Sequence, residues 1–172
     1  MSDVSGGTIQ EKIRRARLLE QRWGDTLRAD ANVQRLMARL EANLTASFQA
    51  MIDRGNVQAC ARCDEEEGGS CCGAGIENRY SEMLLLLNLL LGVDLPSERR
   101  LDNSCFFLGE RGCSLKVREV LCVNYLCQSI QKSLEPHHRD LLQNAVGAEL
   151  ETVFLLQEAA RRVLRRTEVP ER

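Results

Sequence analysis

All eight cysteines of this 172-residue chain fall between Cys60 and Cys127, and neither flanking arm carries one. That distribution constrains the fold more than any other feature. Disulfides that staple a weak small fold would tie its arms in as well. A chain of this length buries a normal core without covalent staples. The cysteines therefore point to a local site in the middle of an otherwise ordinary chain.

The arms carry their own folding signal. Ile9, Ile13, Ala16, Leu19, Trp23 and Leu27 recur at three- and four-residue steps, one face of an amphipathic helix. Gly24-Asp25 is a place for a dent, and Asp30 is a candidate cap for a second helix. Val33, Leu36, Met37, Leu40, Leu44, Phe48, Met51 and Ile52 continue the period. Residues 8–53 thus read as one kinked helix or two, with Gly55 as the stop. The C-terminal arm, residues 137–166 after Pro136, aligns Leu142, Ala145, Val146, Val153, Leu156, Ala160 and Val163 on one face. Between the arms, Ser81 caps an apolar helix from Glu82 to Leu91, closed by Gly92 and Pro96. Apolar on both faces, it is the element expected to be most buried. Ser114 is a candidate cap for a helix through Val117, Val120, Leu121 and Cys122. Residues 56–79 and 102–112 lack periodicity and read as irregular, the second with a hairpin option through Phe106-Phe107-Leu108.

The expectation is a mainly helical, all-α single domain over residues 1–172. The arms form an antiparallel helix bundle, and residues 56–130 are a cysteine-rich irregular insert between helices. Aromatic residues at 4% favour a core of Leu, Val, Ile and Ala, which suits helix packing over sheets. Trp23, Phe48 and Phe154 fall on apolar faces and are expected as core anchors.

Composition narrows the partners. Net charge is -2, without the basic excess that releases counterions from phosphates, so no nucleic-acid partner is expected. The pairs Arg14-Arg15, Arg161-Arg162 and Arg165-Arg166 read as solvated faces. The strongest apolar run, Met83 to Leu91, is shorter than the roughly 20 residues that cross a bilayer. The N-terminus lacks the pattern of a signal peptide, so the expected setting is cytoplasmic, where thiols stay reduced. A homodimer through the amphipathic arms is one option for their apolar faces, and packing within one chain is the other.

Four features of the insert carry chemistry. Cys60-Ala61-Arg62-Cys63 is a CxxC pair whose sulfurs can converge on one ion. Cys71-Cys72 is a vicinal pair, and neighbouring residues of an extended chain point oppositely. Cys105 and Cys113 flank a glycine-bearing turn. Cys122 and Cys127 are five residues apart, about 140° on a continuous helix, so they serve separate sites or the helix ends between them. Eight thiolates allow two four-cysteine sites, one site plus a polynuclear centre, or a four-iron cluster held by four of them. Arg62, Arg79, Arg111, Lys116 and Arg118 lie near these cysteines and are candidates to offset thiolate charge.

The block resembles the bacterial CxxCxxxCC family of zinc- or iron-chelating domains. The resemblance runs from Cys60-Ala-Arg-Cys63 and Cys71-Cys72 through Cys105-Phe-Phe-Leu, Gly112-Cys113-Ser-Leu, Arg118 and Cys122-Val-Asn-Tyr-Leu-Cys127. It implies that all eight cysteines are metal ligands for zinc or iron. Two features depart from the pattern: the gap from Cys63 to Cys71 is longer, and Glu119 and Val123 replace the usual proline and arginine. A flagellin lysine methylase shares this kind of block, which implies a second reading as an iron–sulfur enzyme or accessory factor for protein modification. A third reading is a disulfide-stabilised helical interaction module without metal.

Other features read more plainly. His137 and His138 fit an exposed turn, and Asp64 to Glu67 a solvated loop without calcium-loop spacing. Phe106, Phe107 and Tyr125 are placed to shield a site or simply to pack. No phosphate loop, HExxH or nucleophile elbow is present, so no catalytic residue is named.

Overall fold

The computed structural model describes residues 7–53, 72–100, 102–110, 112–124, 132 and 134–168. Cys60, Cys63, Cys71 and Cys127 lie outside them, as do Gly55, the acidic run 64–67 and Tyr125.

Helix α1 spans Ile9–Ala29 and opens on a reciprocal cap. The Thr8 hydroxyl accepts the Glu11 amide at 3.3 Å, and the Glu11 carboxylate accepts the Thr8 amide at 2.8 Å. Gly24 stays within the helix, so the expected dent is absent. The break comes at Asp30, in extended conformation, whose carboxylate takes the amides of Asn32 and Val33 at 2.9 and 3.0 Å. That cap starts α2, Ala31–Asp53, and resolves the N-terminal arm into two helices.

The third helix, α3 (Glu82–Leu90), begins where the Ser81 hydroxyl accepts the Leu84 amide at 3.2 Å. Met83 to Asn88 are buried in unbroken succession, as its two apolar faces require. Gly92 follows in the left-handed region at φ 75°, which glycine reaches without steric cost. A five-residue helix α4, Val120–Asn124, precedes the long α5, Pro136–Glu168. Pro136 is the first residue of α5, where its missing N–H costs nothing.

Two helix pairings build the body: α1 lies along α3, and α2 lies along α5. The second is marked by the Arg39–Glu151 ion pair at 2.8 Å. Next to it, Asn43 donates to the Ala148 carbonyl at 3.0 Å and the Thr152 hydroxyl at 2.9 Å. A continuous core joins Ile13, Leu27, Leu40, Leu85, Leu86, Phe107, Leu156 and Leu164. A smaller cluster of Val123, Leu134, Leu142 and Val146 sits toward the start of α5. The all-α expectation therefore holds, with one two-stranded hairpin among the described residues. No helix among them is long and apolar enough to cross a membrane.

Three expectations are corrected. Phe48 and Phe154 are 53% and 62% exposed rather than core anchors, and only Trp23 packs partly against the core. Ser114 caps no helix: its hydroxyl bonds the Phe107 carbonyl at 3.1 Å, and Val117 lies in irregular chain ahead of α4. Residues 76–79 form a 3-10 turn, Ile76–Arg79, inside a stretch expected to be loop with its one helical turn at Cys60 to Cys63, which lie outside the described residues.

Candidate metal centre

The two cysteine-bearing stretches meet as backbone. The Cys105 amide donates to the Cys72 carbonyl at 2.6 Å and the Ala74 amide to the Asn103 carbonyl at 3.1 Å, around a Gly73–Ser104 antiparallel bridge. A buried carboxylate locks this junction. Glu77, 2% exposed, accepts the Gly75 amide at 2.8 Å and an Arg99 guanidinium hydrogen, while Arg99 also donates to the Ser104 carbonyl. Burial works against ionising Glu77, but its own amide, Arg99 and the Gly75 amide outweigh it and lower its pKa. Replacing Arg99 with alanine strands that charge. The expected loss is about 2 kcal/mol, since Arg99 keeps some solvent contact. A urea melt would measure it.

Cys105 leads into a tight hairpin of β1, Leu108–Gly109, and β2, Gly112–Cys113, with Leu108 opposite Cys113. Gly112 takes φ 101° at its turn. Two sulfurs are influenced by amides two residues onward: the Phe107 amide acts to lower the Cys105 thiol pKa, and the Leu115 amide that of Cys113. Such a donor favours the thiolate over the thiol. Repeated at both ends of one hairpin, it gives two sulfurs the support that a thiolate ligand uses.

The third sulfur arrives from α4. Glu119 opens that helix, its carboxylate accepting the Leu121 amide at 2.7 Å and its carbonyl the Cys122 amide at 2.9 Å. The Tyr80 hydroxyl, on a side chain 1% exposed, accepts the Glu119 amide at 3.1 Å. Its own hydrogen is thereby free to face the Cys122 sulfur, 4.0 Å away. Phe107 packs on the Tyr80 ring at 5.0 Å between centroids, and Phe106 on Phe107 at 5.6 Å, so aromatic surface closes this side. Tyr80→Phe leaves the Glu119 amide without its acceptor and should cost about 1–2 kcal/mol, read as a lower unfolding midpoint.

Cys105, Cys113 and Cys122 feel one another's charge, and none is in a disulfide. Burial is the leading influence on each. It pushes the Cys105 thiol up to about 11, with Cys113, Glu77 and Cys122 adding to the rise and the Phe107 amide opposing it. Cys113 is a solvent-exposed residue, yet crowding of protein around its sulfur raises its pKa as well, opposed by the Leu115 amide and Arg118. Cys122 is raised likewise, with Tyr80 and Arg118 favouring its thiolate. Without a cation, these sulfurs are held as thiols at neutral pH. Of the cations expected to offset them, Arg118 is the one whose charge reaches both Cys113 and Cys122. Arg79 pairs with Glu119 at 3.5 Å, and Lys116 donates to the Leu91 carbonyl at 3.0 Å. Arg62 and Arg111 lie outside the described residues.

Asn88 interrupts the apolar run of α3, and it organises this region. Fully buried in α3, it accepts the amides of Lys116 at 3.0 Å and Val117 at 2.9 Å. It donates to the carbonyls of Val117 at 2.8 Å and Leu84 at 3.0 Å. Residues 116 and 117, between Cys113 and Cys122, are thereby tied to α3 through one side chain. A lone amide residue inside a run of leucines was the available signal, because a buried polar group implies partners.

Four of the eight expected ligands are thus placed, and three of them share one electrostatic neighbourhood. Among the described residues, no three Cys, His, Asp or Glu side chains stand close enough to hold an ion as drawn. His137 and His138 are exposed at the start of α5, as expected. No family model, curated protein or solved structure matches the chain.

Proposed function

We propose that this chain is a cysteine-thiolate metal-binding protein that takes zinc or iron. Its donor pool is Cys60, Cys63, Cys71, Cys72, Cys105, Cys113, Cys122 and Cys127. The observation that carries the reading is the hairpin pair: Cys105 and Cys113 lie at its two ends, each with an amide two residues on that favours its thiolate, and Cys122 beside the Tyr80 hydroxyl acts on Cys105. Soft sulfur donors select zinc, iron or a cluster over hard cations. A bound cation supplies the charge that turns thiols held above their ordinary range into thiolates. The chain's own part is to position sulfurs from separate stretches, to donate amide hydrogens to them and to exclude water with Phe106, Phe107 and Tyr80.

The resemblance of the block from Cys60 to Cys127 to zinc- or iron-chelating domains supports the same reading. Cobalt substitution tests the ligand set. Thiolate-to-cobalt absorption is expected in the parent protein and weakened in Cys105→Ser and Cys113→Ser. Equal spectra in parent and variants would remove those two sulfurs from the site.

A further inference from the structure

Glu149 on α5 and Ser47 on α2 meet at the helix crossing, both with no solvent exposure. One Glu149 oxygen bonds the Ser47 hydroxyl, and the other, Oε1, has no hydrogen-bond partner among the described residues. The Ser47 oxygen also lies 3.2 Å from the Leu44 carbonyl. A hydroxyl owns one proton. If that proton goes to Leu44, the hydrogen between Ser47 and Glu149 must come from the carboxyl, which then is an acid rather than a carboxylate. Burial favours the same form, opposed by Ser47 and by Arg118. Ser47 is what α2 presents to the carboxyl, and Arg118, ahead of α4, is the cation whose charge reaches it.

Arg118 faces two ways. Its charge also reaches Cys113 and Cys122, and its guanidinium lies 3.9 Å from the Met51 sulfur. One cation therefore acts electrostatically on both the carboxyl and the sulfurs.

We propose that Glu149 is carried as a neutral carboxylic acid in the folded protein, and that its ionisation draws Arg118 to the open Oε1 and away from Cys113 and Cys122. The proton leaves to solvent, and no other bond changes. The crossing of α2 and α5 then senses pH on behalf of the sulfur site. By reciprocity, negative charge on the sulfurs holds Arg118 and keeps Glu149 protonated. The link to the sulfurs rests on the metal reading. The neutral acid and its coupling to Arg118 do not.

The test is an infrared pH titration of the purified protein, with Glu149→Gln to assign the band. The amide donates to Ser47 as the acid does, so this variant should fold normally. A protonated-carboxyl band is expected at neutral pH, absent from E149Q and fading as pH rises. In Arg118→Met it should persist about one pH unit higher, because the nearby cation is gone. Chelation of metal-loaded protein should move the fading to lower pH in the parent and leave R118M unmoved. Absence of the band, failure of E149Q to fold, or indifference to R118M would each overturn the neutral acid or its coupling. A chelation response equal in parent and R118M would overturn the link to the sulfurs. Protein that never carried metal would sink the metal reading and the sulfur link with it, leaving R118M to judge the rest.

Discussion

Asn88→Leu should destabilise the protein by about 3–5 kcal/mol, a loss read in urea unfolding as a lower midpoint with an unchanged slope. The substitution swaps a buried amide for an aliphatic group of similar size, so packing of α3 changes little. What changes is the segment it serves. The Lys116 and Val117 amides and the Val117 carbonyl lose their partner. Val117 is fully buried, so water does not replace it there without opening the core. Each stranded group costs about 1–3 kcal/mol. Asn88→Asp keeps the two accepted amides and loses the donated bonds, and it adds a buried charge, so it should also fall well short of the parent. If the leucine variant unfolds at the parent's midpoint, the segment does not depend on that side chain.

Metal removal carries the second large effect, and its pH dependence has a definite sign. Binding free energy at a thiolate site is folding free energy for the segments it joins. Chelation should therefore loosen residues 60–127, seen as faster amide exchange, while the α1, α2 and α5 helices keep their protection. For the metal-free form, Cys105 is held up at about 11 against an ordinary 9.0. The folded state then binds more protons than the unfolded state between those values. Its contribution is fully present below about pH 9 and is lost as pH rises toward about 11. The metal-loaded form behaves oppositely. Protons compete with the cation for sulfur, so its stability falls as pH drops. Parallel pH profiles for loaded and chelated protein would contradict the reading.

The helices were legible because their causes are local. Asp30 and Ser81 each announce a helix start, and each cap forms, while the Thr8–Glu11 capping box has the same kind of local spacing and went unread. The apolar stripe of α5 also holds, with Val153, Leu156, Ala160 and Val163 all inward. Phe48 and Phe154 misled because each neighbours the residue that is actually buried. Ser47 and Val153 take the inward positions, which leaves the next side chain turned about 100° away. A serine at a core position reads as surface until its partner, Glu149 on another helix, is known. Residues 114–119 were misread for the same kind of reason. Local pattern suggested a helix, but Asn88 supplies the hydrogen bonds that a helix would have supplied, from 28 and 29 residues away. Within the site, the clustering of cysteines was plain in the sequence. The Tyr80 hydroxyl beside Cys122 and the reach of Arg118 were not, since both depend on how α3 and α4 approach each other.

Anaerobic purification followed by elemental analysis and an absorption spectrum reaches the central claim most directly. Zinc or iron at about one or more atoms per chain is expected, colourless with zinc or brown with an iron–sulfur cluster. Protein without bound metal, its cysteines all recovered as reactive thiols or paired as disulfides, would contradict it.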